Sequence, residues 1–301
     1  MAVIAVLVLA AWSYWPIVAS LSHTLRTSRD YSAGQLVPLV ALFFVWRDRK
    51  ILRELPLIPC WWGGLLVLSL AEAARFYGFL SMRQSIEQYA MVLALAGMIL
   101  LIGGRQVLHR VRWVLLFLVL MMPLPTMIHS RISPPLQRLA TTGSVFLLEA
   151  CGTCVTQQGN VVMLEDNVPI AVAEACSGLR MLTAFVIVAA FIAYMVRRPR
   201  WEKGVLLASS IPVAVICNML RIFLTAMTML YGSVELAGKF FHDFAGVVMM
   251  PIAVSLLFSE LWLMDRLIVP DSGEQANRTS IRSQSDEVHG VVYTRRRQRT
   301  V

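Results

Sequence analysis

One cysteine in this chain stands where the sequence favours a reactive thiol. Cys176 lies in the stretch 173–180, immediately before an apolar segment that begins with Leu179. A cysteine at a helix N-terminus faces unpaired backbone amides and the positive end of the helix dipole, and both favour the thiolate. Arg180 shares its helix face and adds a positive charge, and Glu174 is a second charged neighbour. These residues predict a nucleophile, although most lone cysteines in membrane helices pack like alanine.

A second candidate is an arginine inside an apolar stretch. Arg221 lies in the apolar block 204–231, and Asn218 lies three residues earlier on the same helix face. If this block is a helix that crosses a membrane from Gly204 on the inner side, a rise of about 1.5 Å per residue puts Arg221 about 25 Å along it. Arg221 would then lie near the outer surface of the membrane. An arginine at this depth is costly unless it faces a polar cavity or a partner, which makes it a functional candidate. The alternative is an arginine whose side chain extends to the outer lipid headgroups.

A histidine begins the last apolar segment. His242, followed by Asp243, precedes the block 244–264. Histidine side chains ordinarily titrate near neutrality and can carry a proton or pair with a thiolate. With Cys176 and Arg221, this histidine completes a set for covalent acyl transfer: a thiolate attacks, histidine carries the proton and a fixed cation stabilises the oxyanion. Taken alone, a histidine that caps a span is more often structural.

The elements that must position these residues are helices that cross a membrane. Of the 301 residues, 57% are hydrophobic and only 15% are charged, which excludes a soluble globular protein. A helix needs about 20 apolar residues to cross a bilayer. The sequence predicts an all-α fold, a polytopic integral membrane helical bundle with about eight transmembrane helices. The predicted spans are residues 1–21, 35–46, 57–71, 89–102, 113–128, 179–196, 204–231 and 244–264.

The basic residues orient the predicted spans. Of the 27 Lys and Arg residues, 18 fall on one side of the membrane and 8 on the other, while Arg221 lies within a span. Basic loops favour the cytoplasm, so the sequence predicts a multi-pass protein of the cell inner (plasma) membrane with both termini cytoplasmic. Cys176, Arg221 and His242 then lie at the extracytoplasmic ends of three consecutive spans, where short loops can bring them together. The net charge of +9 indicates membrane lipids as partners, not nucleic acid.

Two segments lie outside the predicted spans. The outer segment 129–178 is expected to carry an amphipathic helix over residues 133–151 and a hairpin with an acidic turn over residues 159–173. Residues 267–301 are polar and rich in arginine, which predicts a disordered, basic cytoplasmic tail. The membrane domain is therefore expected to occupy residues 1–266.

The candidate residues stand in three short motifs that resemble those of a known family. Cys176 opens Cys-Ser-Gly-Leu-Arg, Asn218 opens Asn-Met-Leu-Arg, and His242 is followed by Asp243. Their order, spacing and common side resemble the Cys-Ser-Gly-x-Arg, Asn-x-x-Arg and His-Asp/Asn boxes of the exosortase/archaeosortase family of membrane-embedded cysteine transpeptidases. The chain is identified on these motifs as similar to that family.

The resemblance extends over nearly the whole membrane part of the chain. It includes the outer stretch that begins at Asp30 and Tyr31, and the Pro-Leu-Pro box at residues 123–125. The family's outer box usually reads Asp-Tyr-Ser-His-Gly, whereas this chain has Ala33 at the histidine position, so no role is assigned there. The segment 269–273, Val-Pro-Asp-Ser-Gly, looks like a known sorting motif. It follows the last predicted span on the cytoplasmic side, and we interpret it as a coincidence.

The resemblance implies a cysteine peptidase/transpeptidase that cleaves the C-terminal sorting signals of exported proteins. Each signal combines a short motif, a hydrophobic helix and a basic cluster. Cys176 would attack the signal with help from Arg221 and His242, and the acyl group would pass to a surface lipid or glycan acceptor. Such an enzyme would serve exopolysaccharide and envelope biogenesis, with no metal and no other cofactor. The supporting residues would be Glu174, Arg180, Asn218 and Asp243.

Two other function classes stay open. Cys151 and Cys154 form a CxxC motif on the predicted outer side, and a quinone-coupled disulfide oxidoreductase would use such a pair. The same pair is also compatible with a local disulfide that fixes the amphipathic helix. The other open class is a non-catalytic membrane protein of polysaccharide export, whose action would not depend on any thiol.

Overall fold

The fold consists mainly of helices. One small β-sheet is formed by strands that lie between two of the helices along the chain. The computed structural model describes residues 2–159, 161–163, 169–171, 178–196, 198–231 and 242–267, with backbone alone for residues 2–11, 29, 169–171, 242–250 and 253. The α-helices are α1 (Ala2–Thr27), α2 (Val37–Arg47), α3 (Arg49–Glu54), α4 (Trp61–Leu80), α5 (Gln84–Ile102), α6 (Gly104–Val119), α7 (Thr126–Ala150), α8 (Leu179–Met195), α9 (Arg200–Tyr231) and α10 (His242–Leu267). A 3₁₀ helix covers Arg29–Leu36. The strands are β1 (Thr156–Gln158), β2 (Val161–Met163) and β3 (Pro169–Ala171).

Three of the described helices are long and apolar enough to cross a membrane, namely α4, α5 and α9. The helix α8 is equally apolar but has 17 residues. These helices confirm the class of all-α membrane protein that the composition predicts. The number of about eight spans stays a prediction.

The helices α4 and α5 are longer than the predicted spans 57–71 and 89–102. The predicted spans were limited by charged residues at their ends. The structure shows how one of these residues, Glu72, fits within α4. Glu72 accepts a hydrogen bond from the Tyr14 hydroxyl of α1 at 2.7 Å. The Arg75 guanidinium donates to the Ser13 hydroxyl at 2.7 Å and to its carbonyl at 2.9 Å. Because these charges have partners on a neighbouring helix, they do not end α4.

The predicted span 113–128 is not one continuous helix, because the helix breaks within it. The helix α6 ends at Val119 and α7 begins at Thr126. Proline has no backbone N–H to donate, and it disfavours helical backbone at the residue before it. Pro123 and Pro125 therefore separate the two helices.

The predicted span 35–46 is also shorter as a helix than a bilayer requires. The chain runs through the 3₁₀ helix first, and α2 then has 11 residues. At about 1.5 Å per residue this helix measures about 16 Å, against about 30 Å for a hydrocarbon core. By itself α2 cannot cross a membrane.

The segment 129–178, which the sequence predicts to lie outside, contains a helix and strands whose limits differ from the predicted ones. The amphipathic helix predicted at residues 133–151 is α7, which starts seven residues earlier and contains Pro134 and Pro135. In the range of the predicted hairpin, β2 and β3 pair antiparallel with Val162 opposite Ile170. A third strand, β1, pairs antiparallel with β2 and was not predicted. The acidic turn falls outside the described residues.

The largest buried cluster joins α1, α2, α5, α6 and α8. At its centre Phe44 of α2 is fully buried. Its ring lies 3.9 Å from that of Tyr194 and 5.2 Å from that of Phe117, between ring centres. Aromatic pairs at such distances add to the free energy gained from apolar burial.

The chain divides into two compact units, residues 1–257 and 258–301. In the second unit, the structure describes the end of α10, where the Arg266 guanidinium lies 4.3 Å from the centre of the Trp262 ring. The predicted cytoplasmic tail lies outside the described residues from residue 268 onward.

Candidate functional site

Two of the three sequence motifs meet where α8 begins. Gly178 precedes α8 with φ at +77°, a left-handed conformation that favours glycine. Its carbonyl accepts the backbone N–H of Leu182 at 2.8 Å, which closes the first helical turn. A Cβ added at Gly178 would lie 3.1 Å from Nδ2 of Asn218 on α9. Gly178 of the first motif therefore lies against Asn218 of the second.

The polar residues of the second motif are buried within the protein. Asn218 is 1% exposed and Arg221 is 4% exposed, whereas their α9 neighbours Leu220 and Leu224 are more than one third exposed. An arginine that extends to lipid headgroups would be exposed, so the structure excludes that alternative for Arg221. The guanidinium instead faces the protein interior, as charged side chains in membrane helices usually do.

An apolar cluster fixes the relative position of α8 and α9 next to these polar residues. Met181, Ala184 and Phe185 of α8 pack with Ala214 and Cys217 of α9, and all five are buried. In a helix, residues three or four apart share a face. The face of α9 that carries Ala214 therefore continues through Asn218 to Arg221.

Arg180 lies in the first turn of α8. The side-chain atoms Nε and Nη2 of Arg180 are inaccessible to solvent. Its carbonyl lies 3.0 Å from the Thr183 hydroxyl, which donates to it. Arg221 and part of the Arg180 guanidinium thus lie inside the protein, one on each helix, which favours anions nearby.

The 3₁₀ helix forms a third wall of this region. The Thr183 hydroxyl also donates to the Asp30 carbonyl at 2.9 Å, so α8 is tied to the 3₁₀ helix by its first turns. Ala33 packs against the cluster shared by α8 and α9. Gln35 donates its side-chain amide to the Leu25 carbonyl at 2.7 Å, which ties the 3₁₀ helix to α1. The stretch that resembles the family's outer box therefore lies beside the two other motifs.

His129 of α7 joins the same region, and the sequence analysis did not single it out. Its Nε2 lies 3.5 Å from Oδ2 of Asp30, and its ring centre lies 6.4 Å from that of Tyr31. Burial raises the pKa of the Tyr31 phenol, and the backbone of Leu124 partly opposes this shift. A contact across 99 residues leaves no periodic pattern. The only signal in the sequence is the Pro-Leu-Pro box just before α7.

Four of the predicted residues fall outside these contacts. Cys176 and Glu174 lie outside the described residues. His242 is the first residue of α10 and Asp243 follows it, but the structure does not describe their side chains. The structure places Gly178 against Asn218, two residues before Arg180 and three before Arg221 respectively, and the geometry of the thiol and the imidazole stays a prediction.

The CxxC motif lies at the other end of α7. Cys151 and Cys154 follow the helix as exposed thiols. Cys217 is fully buried in α9, and Cys60 precedes α4. Within the described residues no second exposed cysteine pair accompanies the motif.

Comparison with known proteins gives one match. The family model described as transmembrane exosortase matches residues 22–259, well over half of the chain. The matched range begins in α1, ends in α10 and contains all three motifs. No curated protein and no solved structure matches the chain.

Proposed function

Because the chain belongs to the transmembrane exosortase family, we propose that it is a membrane cysteine transpeptidase. Its substrates are exported proteins whose C-terminal sorting signal contains a short motif, a hydrophobic helix and a basic cluster. The observation that carries the proposal is the buried contact of Gly178 with Asn218, with Arg221 three residues further along α9. This contact joins the motif of the candidate nucleophile to the motif of a buried cation.

The covalent chain supports Cys176 as the nucleophile. Cys176 precedes Gly178 by two residues, and two residues span at most about 7 Å even when extended. A thiol within that reach of the start of α8 would be favoured as the thiolate by backbone amides and the helix dipole. Arg180 in the first turn adds a positive charge.

The reaction proceeds in two transfers. The Cys176 thiolate attacks the carbonyl carbon of the scissile peptide, a C–S bond forms, and Arg221 stabilises the negative oxygen. The C–N bond then breaks, and His242 gives a proton to the departing amine. In the second transfer an amine or hydroxyl of a surface lipid or glycan attacks the thioester, loses its proton to His242 and releases the thiolate. Glu174 and Asp243 support this exchange as charged neighbours.

The topology follows from the distribution of basic residues. The 18 to 8 division of Lys and Arg supports cytoplasmic termini and an extracytoplasmic site in the plasma membrane. Reporter fusions should place a fusion after Arg266 in the cytoplasm and one within residues 129–178 outside. A cytoplasmic location for residue 176 would contradict the proposal, since exported substrates could not reach it. The link to exopolysaccharide and envelope biogenesis belongs to the same proposal.

A thiol-by-thiol experiment tests the function. An exported reporter that carries a C-terminal tail with a short motif, a hydrophobic helix and a basic cluster is co-expressed with each variant. Loss of the tail is followed by the size of the reporter. Cys176→Ala should stop processing, whereas Cys151→Ser with Cys154→Ser should leave most of it. Processing that depends on Cys151 and Cys154 but not on Cys176 would favour the disulfide oxidoreductase.

A further inference from the structure

A polar cluster lies where α7, the 3₁₀ helix and α8 meet. Its members are His129, Asp30, Tyr31 and Thr183. The Nε2 of His129 lies 3.5 Å from a carboxylate oxygen of Asp30, and the Thr183 hydroxyl donates to the Asp30 carbonyl at 2.9 Å. Asp30 therefore contacts α7 through its side chain and α8 through its backbone.

This cluster bears on the candidate site through the first turn of α8. Thr183 lies within hydrogen-bond distance of both the Asp30 and the Arg180 carbonyls. On its other side the same turn begins at Gly178, which lies against Asn218. The start of α8 is thus held between α9 and the 3₁₀ helix.

The break after α6 delivers His129 to this place. The backbone N–H of His129 donates to the Pro125 carbonyl at 2.9 Å, so the histidine closes the first turn of α7. The 3₁₀ helix has no histidine of its own, and Ala33 packs instead on the apolar cluster of α8 and α9. The imidazole beside Asp30 is therefore supplied by another helix.

We propose that His129 is a positioning residue for the transpeptidase reaction: by holding Asp30 it fixes the 3₁₀ helix against the first turn of α8. This inference rests on the proposed function. The side chains of His129 and Asp30 are 33% and 22% exposed, and ion pairs of such exposure add little to stability. The effect of His129 is therefore on the geometry of the site and much less on the folding of the chain.

Three variants measure this effect by cleavage of a tailed reporter with purified protein. His129→Ala should lower kcat by about tenfold with KM nearly unchanged, because a small displacement of groups at the site slows the chemical step. His129→Gln keeps a side-chain N–H donor and should recover most of the kcat. Asp30→Ala should match His129→Ala, and the double variant should be no slower than either single variant.

The matched control is His109→Ala. His109 is an exposed histidine of α6 whose Nδ1 lies 3.5 Å from Nη1 of Arg112, and it is not a member of this cluster. Its variant should keep the wild-type kcat. A wild-type kcat in His129→Ala, no recovery in His129→Gln, or additive losses in the double variant would each overturn the proposal.

A second readout does not need the reaction. The rate at which a maleimide labels Cys176, followed by mass spectrometry of its peptide, should change in His129→Ala and stay at the wild-type value in His109→Ala. An unchanged rate would overturn the role of His129. Processing by Cys176→Ala, or none by the wild type, would instead refute the proposed function, while the labelling result still decides the proposal for His129.

Discussion

The α4–α5 pair and the α8–α9 pair are both hairpins of apolar helices, yet they pack through different side chains. A Cβ at Gly64 would lie 2.8 Å from the Leu101 Cα, and one at Gly97 would lie 2.9 Å from Leu68. Close approach at small residues is a common way for membrane helices to associate. Asn218 and Arg221 are instead buried polar groups of α9.

The two kinds of contact indicate different roles: α4 and α5 contribute packing, and α8 and α9 contribute functional groups. The α4–α5 pair shows that this chain can join two apolar helices by close approach at glycines. A buried cation is unfavourable in such surroundings, so Arg221 is not explained by helix association. We therefore expect substitutions in α4–α5 to change stability and substitutions in α8–α9 to change turnover.

The largest effect is expected at Arg221. Arg221→Ala removes the cation that stabilises the oxyanion, so kcat/KM should fall by about 100- to 1000-fold, or about 2.7 to 4 kcal/mol. The measurement is the rate of tail cleavage by purified protein. Arg221→Lys keeps the charge but loses the planar donor pair, and it should recover little activity.

Arg53→Ala is the control, because Arg53 is an exposed arginine of the short helix α3. It should keep wild-type turnover at wild-type membrane abundance. An Arg221 that only anchors its helix would lower protein abundance and not turnover per molecule. Near-normal cleavage by Arg221→Lys would show that charge alone matters there.

An opposite pattern is expected in the α4–α5 pair. Gly64→Leu forces a side chain into the backbone of α5, which should lower the free energy of unfolding by about 1 to 3 kcal/mol. Turnover per folded molecule should stay at the wild-type value. Gly204→Leu is the control, since nothing lies within 4 Å of a Cβ there. Thermal melting measures the loss of stability, and active-site titration gives the turnover per folded molecule. A lower kcat in folded Gly64→Leu would contradict the expected difference between the two helix pairs.

Two glycines with similar backbone conformations, Gly178 before α8 and Gly152 after α7, test whether the contact with Asn218 affects turnover. Gly178 and Gly152 have φ values of +77° and +84°, so an alanine at either position should cost about 1 to 2 kcal/mol of stability. A Cβ at Gly178 also meets Asn218 at 3.1 Å, whereas nothing lies within 4 Å at Gly152. Gly178→Ala should therefore slow cleavage and Gly152→Ala should not. Equal rates in the two variants would show that the contact with Asn218 is unimportant for turnover.

The smallest effect is expected at an ion pair far from these motifs in sequence. Arg110 lies 3.0 Å from Asp48, with side chains 41% and 16% exposed. Arg110→Ala should cost less than about 1 kcal/mol of stability, because exposed pairs contribute little and Asp48 keeps the hydrogen bond from Tyr194. Thermal melting checks the loss of stability, and a cleavage assay checks the turnover of the variant. A clear loss of turnover would mean that the site extends further than proposed.

The sequence predicts what depends on local pattern. Apolar blocks identify α4, α5, α8 and α9, and helical periodicity places Asn218 and Arg221 on one face, as their burial confirms. The limits of the helices were less predictable, because whether Glu72 ends a helix depends on its partner Tyr14, 58 residues away. The break at residues 120–125 could have been predicted from its two prolines.

Contacts between distant segments were not predictable from one sequence. Asp30 meets Thr183 across 153 residues and His129 across 99, and neither pairing leaves a periodic signal. Such contacts depend on how the helices pack. The proximity of Gly178 and Asn218 was expected only in general terms, from the shared side of the two motifs.

Capture of the covalent intermediate tests the central claim most directly. Purified protein is mixed with a tailed substrate without an acceptor, and the products are digested and analysed by mass spectrometry. The account predicts a thioester between the substrate's new C-terminus and Cys176, removed by hydroxylamine, absent from Cys176→Ala and scarce in Arg221→Ala. Continued cleavage by Cys176→Ala, or cleavage with the adduct on Cys151 or Cys154, would contradict it.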